Sequence, residues 1–149
     1  MIKQDFSSQA CALKHILCMG LIDVEQVVTW AESMILIVDT VPDWLTELSL
    51  SKTSSQAITS LGQVPGETTA ELWWPLLKQQ VAKELDCGDV NLAKVVTYCY
   101  NLALSGDIPA YDCEALYQLE LEYDSIFTGY GTQAEVDVQA LQFFHKHNI

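Results

Sequence analysis

The chain has 149 residues, the usual size of one domain, and half of them are apolar, which argues against intrinsic disorder. Its 20 acidic residues face only 7 basic ones, all lysines, so the formal net charge is −13. Binding to nucleic acid or to an anionic membrane surface depends on Lys and Arg, so this charge argues against both and favours a basic protein partner.

Helix signals dominate the first part of the chain. Ser7 or Ser8 can cap a first helix, which ends before Gly20. Asp23 can cap a second helix that continues to about Val38, because apolar residues recur there at helical spacing. A second apolar line on this helix predicts a central position, covered on more than one side.

Two short helices and one longer helix follow. The short ones are predicted to start at Asp43, as a cap, and to cover residues 55–61. The longer helix ends near Asp86. Pro75 leaves two alternatives for its start: the helix begins near Trp74 with the proline in its first turn, or it begins earlier and the proline kinks it.

Three further helices are predicted in the last part of the chain. Asp89 can cap a helix that stops at Gly106. The next helix covers about residues 111–127, and Thr132 can cap a last one that reaches about Lys146. The connections are short, so neighbouring helices are expected to pack antiparallel.

These signals predict an all-α fold. We expect a single domain over residues 1–149, built as a bundle of about seven or eight mostly antiparallel helices. No stretch has the alternating pattern of a strand, and the sequence has no low-complexity tract and no clear internal repeat.

Carboxylates gather in the C-terminal third without basic neighbours. Between Lys94 and Lys146 there is no other lysine and no arginine. If the last helices lie side by side, their acids form one negative field, which favours a cationic partner; a merely solvated face is the alternative. Tyrosines interleave the acids, as in many protein interfaces. The predicted partner-binding residues are Asp107, Asp112, Glu114, Glu120, Glu122, Asp124, Tyr130, Glu135 and Asp137.

Catalytic and metal sites find little support in the sequence. It has no Glu-x-x-His spacing, no calcium loop and no Gly-x-Ser-x-Gly elbow, so we predict no metal, no cofactor and no enzymatic activity. Cys11 and His15 lie four apart on the first helix, and we interpret them as a buried thiol beside a surface histidine. Trp73 and Trp74 are interpreted as core residues, with an exposed interface anchor as the alternative for one of them.

The cysteine pattern and the apolar runs indicate a compartment. The five cysteines form no Cys-x-x-Cys pair, which favours a reducing cytosol. The longest uninterrupted apolar run, MILIV, is too short to cross a bilayer, and no signal peptide is visible. The sequence therefore predicts a cytoplasmic protein.

The stretch LIDVEQVVTWAESMILIVDTVPDWLTELSLS carries a resemblance to known proteins. Its elements are Val27-x-x-Trp30-Ala31 in the second helix and Pro42-x-Trp44-Leu45-x-Glu47-Leu48-Ser49 after it. This stretch resembles small bacterial immunity proteins of polymorphic and contact-dependent toxin systems. The resemblance implies a cytosolic antidote that binds a toxin domain and blocks its active site. The matching residues lie outside the acidic region, so they assign no binding role to it.

The charge distribution and the resemblance lead to the same functional hypothesis. We expect a non-enzymatic inhibitor, an immunity protein, whose acidic C-terminal helices occupy the cationic cleft of a toxin, most simply a nuclease. The alternative is an acidic secretion chaperone or adaptor, which binds an unfolded or N-terminal segment of its client. A dimeric state and an exposed apolar groove would favour that alternative.

Overall fold

A computed structural model describes residues 6–87 and 90–146, and every regular element in these ranges is an α-helix. The helices group into two compact units, residues 1–69 and 70–149. The all-α class and the count of eight helices are confirmed for this part of the chain. That the two units form one domain stays a prediction. The helices are α1 (Ser7–Met19), α2 (Val24–Ile35), α3 (Asp43–Ser49), α4 (Ser54–Gly62), α5 (Ala70–Cys87), α6 (Leu92–Leu104), α7 (Ala110–Phe127) and α8 (Gln133–His145).

The N-terminal unit is organised by caps that the sequence predicts. Asp23 closes a capping box: its side chain accepts from the Gln26 N–H, and the Gln26 side chain accepts from the Asp23 N–H. Gly20 ends α1 with a φ of 80°, a left-handed conformation that glycine adopts without steric cost. The unit buries an aliphatic core whose fully enclosed members include Ile16, Val27, Ala31, Leu45, Leu48 and Ala57.

The C-terminal unit has the larger side chains in its core. Helix α5 begins at Ala70, so Pro75 lies inside it, as the earlier-start alternative requires. Trp73 and Trp74 are both buried, at 6% and 0% exposure, which confirms their assignment to the core. Their rings pack edge to face, with centroids 6.2 Å apart. Other fully enclosed side chains of this unit are Leu77, Val81, Val96, Cys99, Leu116 and Phe144.

Several predicted helix ends are shifted by a few residues. Helix α2 ends at Ile35, not near Val38. Leu36 is 85% and Ile37 56% exposed, so little apolar burial is available to stabilise a further turn. Pro42 occupies the N-cap position of α3, so Asp43, the predicted cap, is the first helical residue. The predicted cap Asp89 lies outside the described residues.

The two units repeat one pattern of helix packing. In the N-terminal unit α2 packs on α3, and α4 contacts each of α1, α2 and α3. In the C-terminal unit α6 packs on α7, and α8 contacts each of α5, α6 and α7. The expectation that the chain has no internal repeat is therefore wrong, because the second unit repeats the order and the contacts of the first.

The repeat also has a signature in the sequence. The second helix of each unit is N-capped by a side chain, Asp23 in one and Asn91 in the other, that accepts from a backbone N–H in the first turn. The motif Val-Val-Thr-aromatic follows both caps at equal spacing, at residues 27–30 and 95–98. The third helices start after a proline N-cap and the fourth after a threonine N-cap; these residues are Pro42 and Pro109, and Thr53 and Thr132.

The units differ most in their third helix. Helix α3 has 7 residues, whereas α7 has 18. Residues 117–127 of α7 have no counterpart in α3; one side of this segment is packed into the C-terminal unit through Leu119 and Tyr123, and the other side is exposed. We call residues 117–127 the α7 extension.

Candidate protein-binding surface

Four of the eight predicted acids are exposed and have no partner among the residues that the structure describes. Within the described part of the chain, no ion pair or hydrogen bond involves the carboxylates of Asp107, Glu114, Asp124 and Glu135. Asp107 precedes α7, Glu114 and Asp124 lie on it, and Glu135 lies in the first turn of α8, which packs on α7. We call these four residues the acidic set.

Asp112 does not belong to this set, and the prediction that it lies on an exposed acidic face is wrong. It is 7% exposed, because its position in the first turn of α7 faces the core of the C-terminal unit. Its Oδ2 accepts from the Lys78 ammonium at 2.9 Å and from the Trp74 indole N–H at 2.7 Å. The same ammonium lies 4.6 Å from the centroid of the Phe143 ring. Asp112 and Lys78 therefore form a buried ion pair.

Two further acids, Glu120 and Asp137, accept hydrogen bonds from uncharged hydroxyl groups. The Thr97 hydroxyl on α6 donates to both carboxylate oxygens of Glu120, at 3.1 and 2.9 Å. The Tyr123 hydroxyl donates to Asp137 at 2.5 Å, which ties α7 to α8. Burial is the main cause that raises the pKa of Tyr123. The hydrogen bond to Asp137 and the negative charge of Asp137 raise this pKa further, so the phenol stays protonated. Glu120 and Asp137 remain half-exposed, and their role as partner-binding residues stays a prediction.

Glu122 is oriented differently from the acidic set. It is half-buried, and its Oε2 has no hydrogen-bond partner among the described residues. An enclosed acceptor without a donor is destabilising by about 1–3 kcal/mol. Its role at an interface stays a prediction, and the exposed part of the acidic field does not depend on it.

Exposed aromatic and apolar side chains accompany the acidic set. Tyr130, predicted as a partner-binding residue, is 74% exposed between two glycines with left-handed backbone. Tyr117 is 41% exposed, and its ring packs edge to face on Tyr100 of α6 at 5.7 Å. The helical periodicity places Leu121, with Tyr117, at the margin of the inward stripe of α7, but Leu121 is 60% exposed.

Phe127 also corrects the sequence-based interpretation of this helix. The periodicity of α7 predicts an inward stripe that ends in Phe127, but this side chain is 89% exposed. As the last residue of α7 it lies beyond the buried stripe of Leu116, Leu119 and Tyr123. A helical pattern alone cannot show where the neighbouring helices stop covering it.

The described residues provide little for catalysis or metal binding. They contain no group of three or more His, Cys, Asp or Glu side chains that could hold a metal ion. Cys99 is fully buried, and burial raises the pKa of its thiol, so it does not form the thiolate that a nucleophile requires. Cys11 and His15 are both half-buried, so the interpretation of a buried thiol beside a surface histidine is not accurate for either.

The last residue of α8, His145, contacts an aspartate near the end of α5. His145 Nδ1 lies 2.8 Å from the Leu141 carbonyl oxygen, and its Nε2 lies 3.1 Å from Asp86 Oδ1 at the end of α5. Both ring nitrogens thus face acceptors, which favours the doubly protonated imidazolium. The backbone hydrogen bond to Leu141, then the bond to Asp86, raise the pKa of His145.

We expect this contact to stabilise the chain at acidic but not at alkaline pH. Because the folded pKa is raised, the stabilisation is complete below the unfolded value, about 6.5, and is lost as pH rises through the folded value. The ring is 41% exposed, so solvent limits the effect to about 0–1 kcal/mol. Urea unfolding at pH 5.5 and 8.5, compared between the native chain and His145→Gln, measures it. A pH dependence that the variant retains in full would contradict the assignment.

No helix within the described residues combines the length and the apolar composition needed to cross a bilayer. Comparison of the chain with protein-family models, with curated proteins and with solved structures finds no match. The function is therefore inferred from the geometry and charge of the surface itself.

Proposed function

We propose that this chain is a non-enzymatic inhibitor that binds a basic protein through the acidic set of its C-terminal unit. The observation that carries the proposal is that Asp107, Glu114, Asp124 and Glu135 are exposed and have no partner within the described part of the chain. No lysine or arginine occurs between Lys94 and Lys146 to neutralise them. A cationic partner removes this repulsion and is steered toward the surface as it approaches.

Exposed rings and leucine next to these acids support a protein as the partner. Tyr130, Phe127 and Leu121 are each at least 60% exposed, and aromatic anchors among charges are typical of protein interfaces. A small cationic ligand would not need such apolar surface. An anionic membrane or a nucleic acid is disfavoured by the negative charge.

In its specific form, the proposal is that of an immunity protein. It acts in the cytosol and covers the basic substrate cleft of a toxin, most simply a nuclease, whose own substrate is anionic. The acidic set then takes the place of the phosphates that this cleft attracts. The resemblance of residues 21–51 to immunity proteins is consistent with this form.

The experiment pairs this chain with the protein encoded next to it in the genome, which this proposal expects to contain a toxin domain. Cells that express the domain are expected to survive when this chain is co-expressed, and the two purified proteins are expected to form a complex. The triple variant Asp107→Lys, Glu114→Lys, Asp124→Lys should lose both properties while it keeps the thermal stability of the native chain, because all three side chains are exposed.

A matched variant controls for net charge. Glu32→Lys, Asp39→Lys, Glu67→Lys makes the same change in charge on exposed residues of the N-terminal unit and should still protect. Protection that survives the first triple variant would contradict the proposal. Binding that requires the partner to be unfolded would instead identify a secretion chaperone.

A further inference from the structure

We propose that the outer face of α7 docks a basic amphipathic helix of the partner, with apolar side chains seated on Tyr117 and Leu121 and with lysine or arginine reaching Glu114 and Asp124. This inference rests on the proposed function and adds that the part of the partner that docks on α7 is a helix. We call these four residues the α7 ridge.

The ridge is defined by its spacing along the helix. Its members follow one another at intervals of three, four and three residues, so they project from one side of α7. All four are exposed, whereas Leu116, Leu119 and Tyr123 on the opposite side are buried. Two acids thus enclose two apolar side chains in a single line, which is the pattern of a helix that meets another helix.

The side of α7 that carries the ridge is not the side that packs into the C-terminal unit, where Leu119 and Tyr123 are buried. Tyr117, Leu121 and Asp124 lie in the α7 extension, for which the 7-residue α3 has no counterpart. In the N-terminal unit the corresponding helices make the same contacts with a third helix of only 7 residues. Tyr117 and Leu121 are exposed apolar side chains on the outer side of this segment, where they are available for contact with another molecule.

Charge and shape together select the occupant. The acids at both ends of the ridge disfavour a second copy of this chain, because like charges would meet. An extended peptide needs a free strand edge for its backbone hydrogen bonds, and the described residues contain no strand. A helix satisfies its own backbone and offers a cationic rim around an apolar stripe, so it fits the ridge in both respects.

The contact of Tyr117 with Tyr100 adds to the suitability of this surface. The edge-to-face packing at 5.7 Å restrains one side of the Tyr117 ring while 41% of the residue stays exposed. A restrained aromatic side chain loses little conformational entropy when it becomes an anchor. Leu121, one turn further along, extends the apolar contact.

A synthetic peptide tests the inference on the full chain. The probe has 18 residues, the length of α7, with leucine on one helical face and lysine on the other, and carries a fluorescent label. A scrambled peptide of the same composition has the same charge but no apolar face. Fluorescence anisotropy is expected to show tighter binding of the amphipathic peptide. Leu121→Ser should weaken that binding about tenfold, as expected for an interface anchor.

Two variants separate this inference from the proposed function. Leu50→Ser alters a leucine that is 70% exposed in the N-terminal unit and should leave peptide binding unchanged. The double variant Glu114→Lys, Asp124→Lys should weaken the binding of both peptides. If both peptides bind equally and Leu121→Ser has no effect, the helix-docking inference is overturned while the proposed function stands. If the double variant also leaves binding unchanged, the acidic surface itself is excluded as the binding site.

Discussion

Replacing Lys78 with methionine is expected to lower the free energy of unfolding by about 3–5 kcal/mol. The substitution leaves the Asp112 carboxylate buried with the Trp74 N–H as its one remaining donor in the described structure. Asp112→Asn should have a similar effect, because it leaves the ammonium of Lys78 enclosed without a counter-charge. Urea unfolding followed by tryptophan fluorescence measures both changes.

The double variant Lys78→Met, Asp112→Asn distinguishes an ion pair from general packing. In this variant the amide oxygen that replaces the carboxylate can still accept from Trp74, and no unpaired charge remains. We expect it to recover much of the lost stability, since a buried ion pair often contributes little more than neutral groups of similar volume. Additive losses in the double variant would contradict a coupled pair.

The second large effect is expected on the buried side of α7. Leu116→Ala should lower the free energy of unfolding by about 2–5 kcal/mol, because Leu116 is 0% exposed and its truncation leaves a cavity. Leu121→Ala, on the same helix and with the same chemical change, should alter stability by no more than about 0.5 kcal/mol, because Leu121 is 60% exposed. Thermal and urea unfolding of the two variants give the comparison.

This pair of leucines also tests the assignment of the two faces of α7. A large loss of stability in Leu121→Ala would mean that the ridge belongs to the core and is not free to bind a partner. Equal effects of the two substitutions would mean that α7 is rotated about its axis, so that Leu121 faces the core as much as Leu116 does. The expected difference leaves Leu121 available for contact with another protein.

Helix positions were predictable because they depend on local signals. The caps at Asp23 and Thr132, the glycine at the end of α1 and the spacing of buried residues act within one or two turns. Whether a given carboxylate is buried, hydrogen-bonded or exposed was not predictable, because this depends on contacts with residues far away in the sequence. Asp112 and Lys78 are brought together only by the packing of the C-terminal unit.

The internal repeat was missed for a related physical reason. The two units share caps, a Val-Val-Thr-aromatic motif and a proline before the third helix, but most core residues differ in size. Core packing tolerates such exchange as long as volume and polarity are kept. The difference in length between α3 and α7 shifts the fourth helices out of register, which conceals the repeat in the sequence.

The contacts of the carboxylates separate acids that the fold explains from acids that it does not. Acids with partners inside the C-terminal unit, such as Asp112, serve its packing. Exposed acids that have no partner among residues 6–87 and 90–146, such as Asp124 on the α7 extension, are the ones that the fold does not explain. Asp112 is buried and Asp124, about three turns later on the same helix, is exposed. The amino-acid composition of the helix does not distinguish the two.

The proposed acidic interface is tested most directly by the rate of association with the product of a neighbouring gene, which the proposed function expects to be a toxin. This rate is measured by stopped flow over a range of salt concentrations. We expect Asp107→Lys, Glu114→Lys, Asp124→Lys to lower the rate constant about 10- to 1,000-fold at low salt, and the loss to shrink as salt is added. The matched triple variant in the N-terminal unit is expected to retain most of the native rate. Equal losses in the two variants, or no loss in either, would contradict a partner that docks on the acidic set.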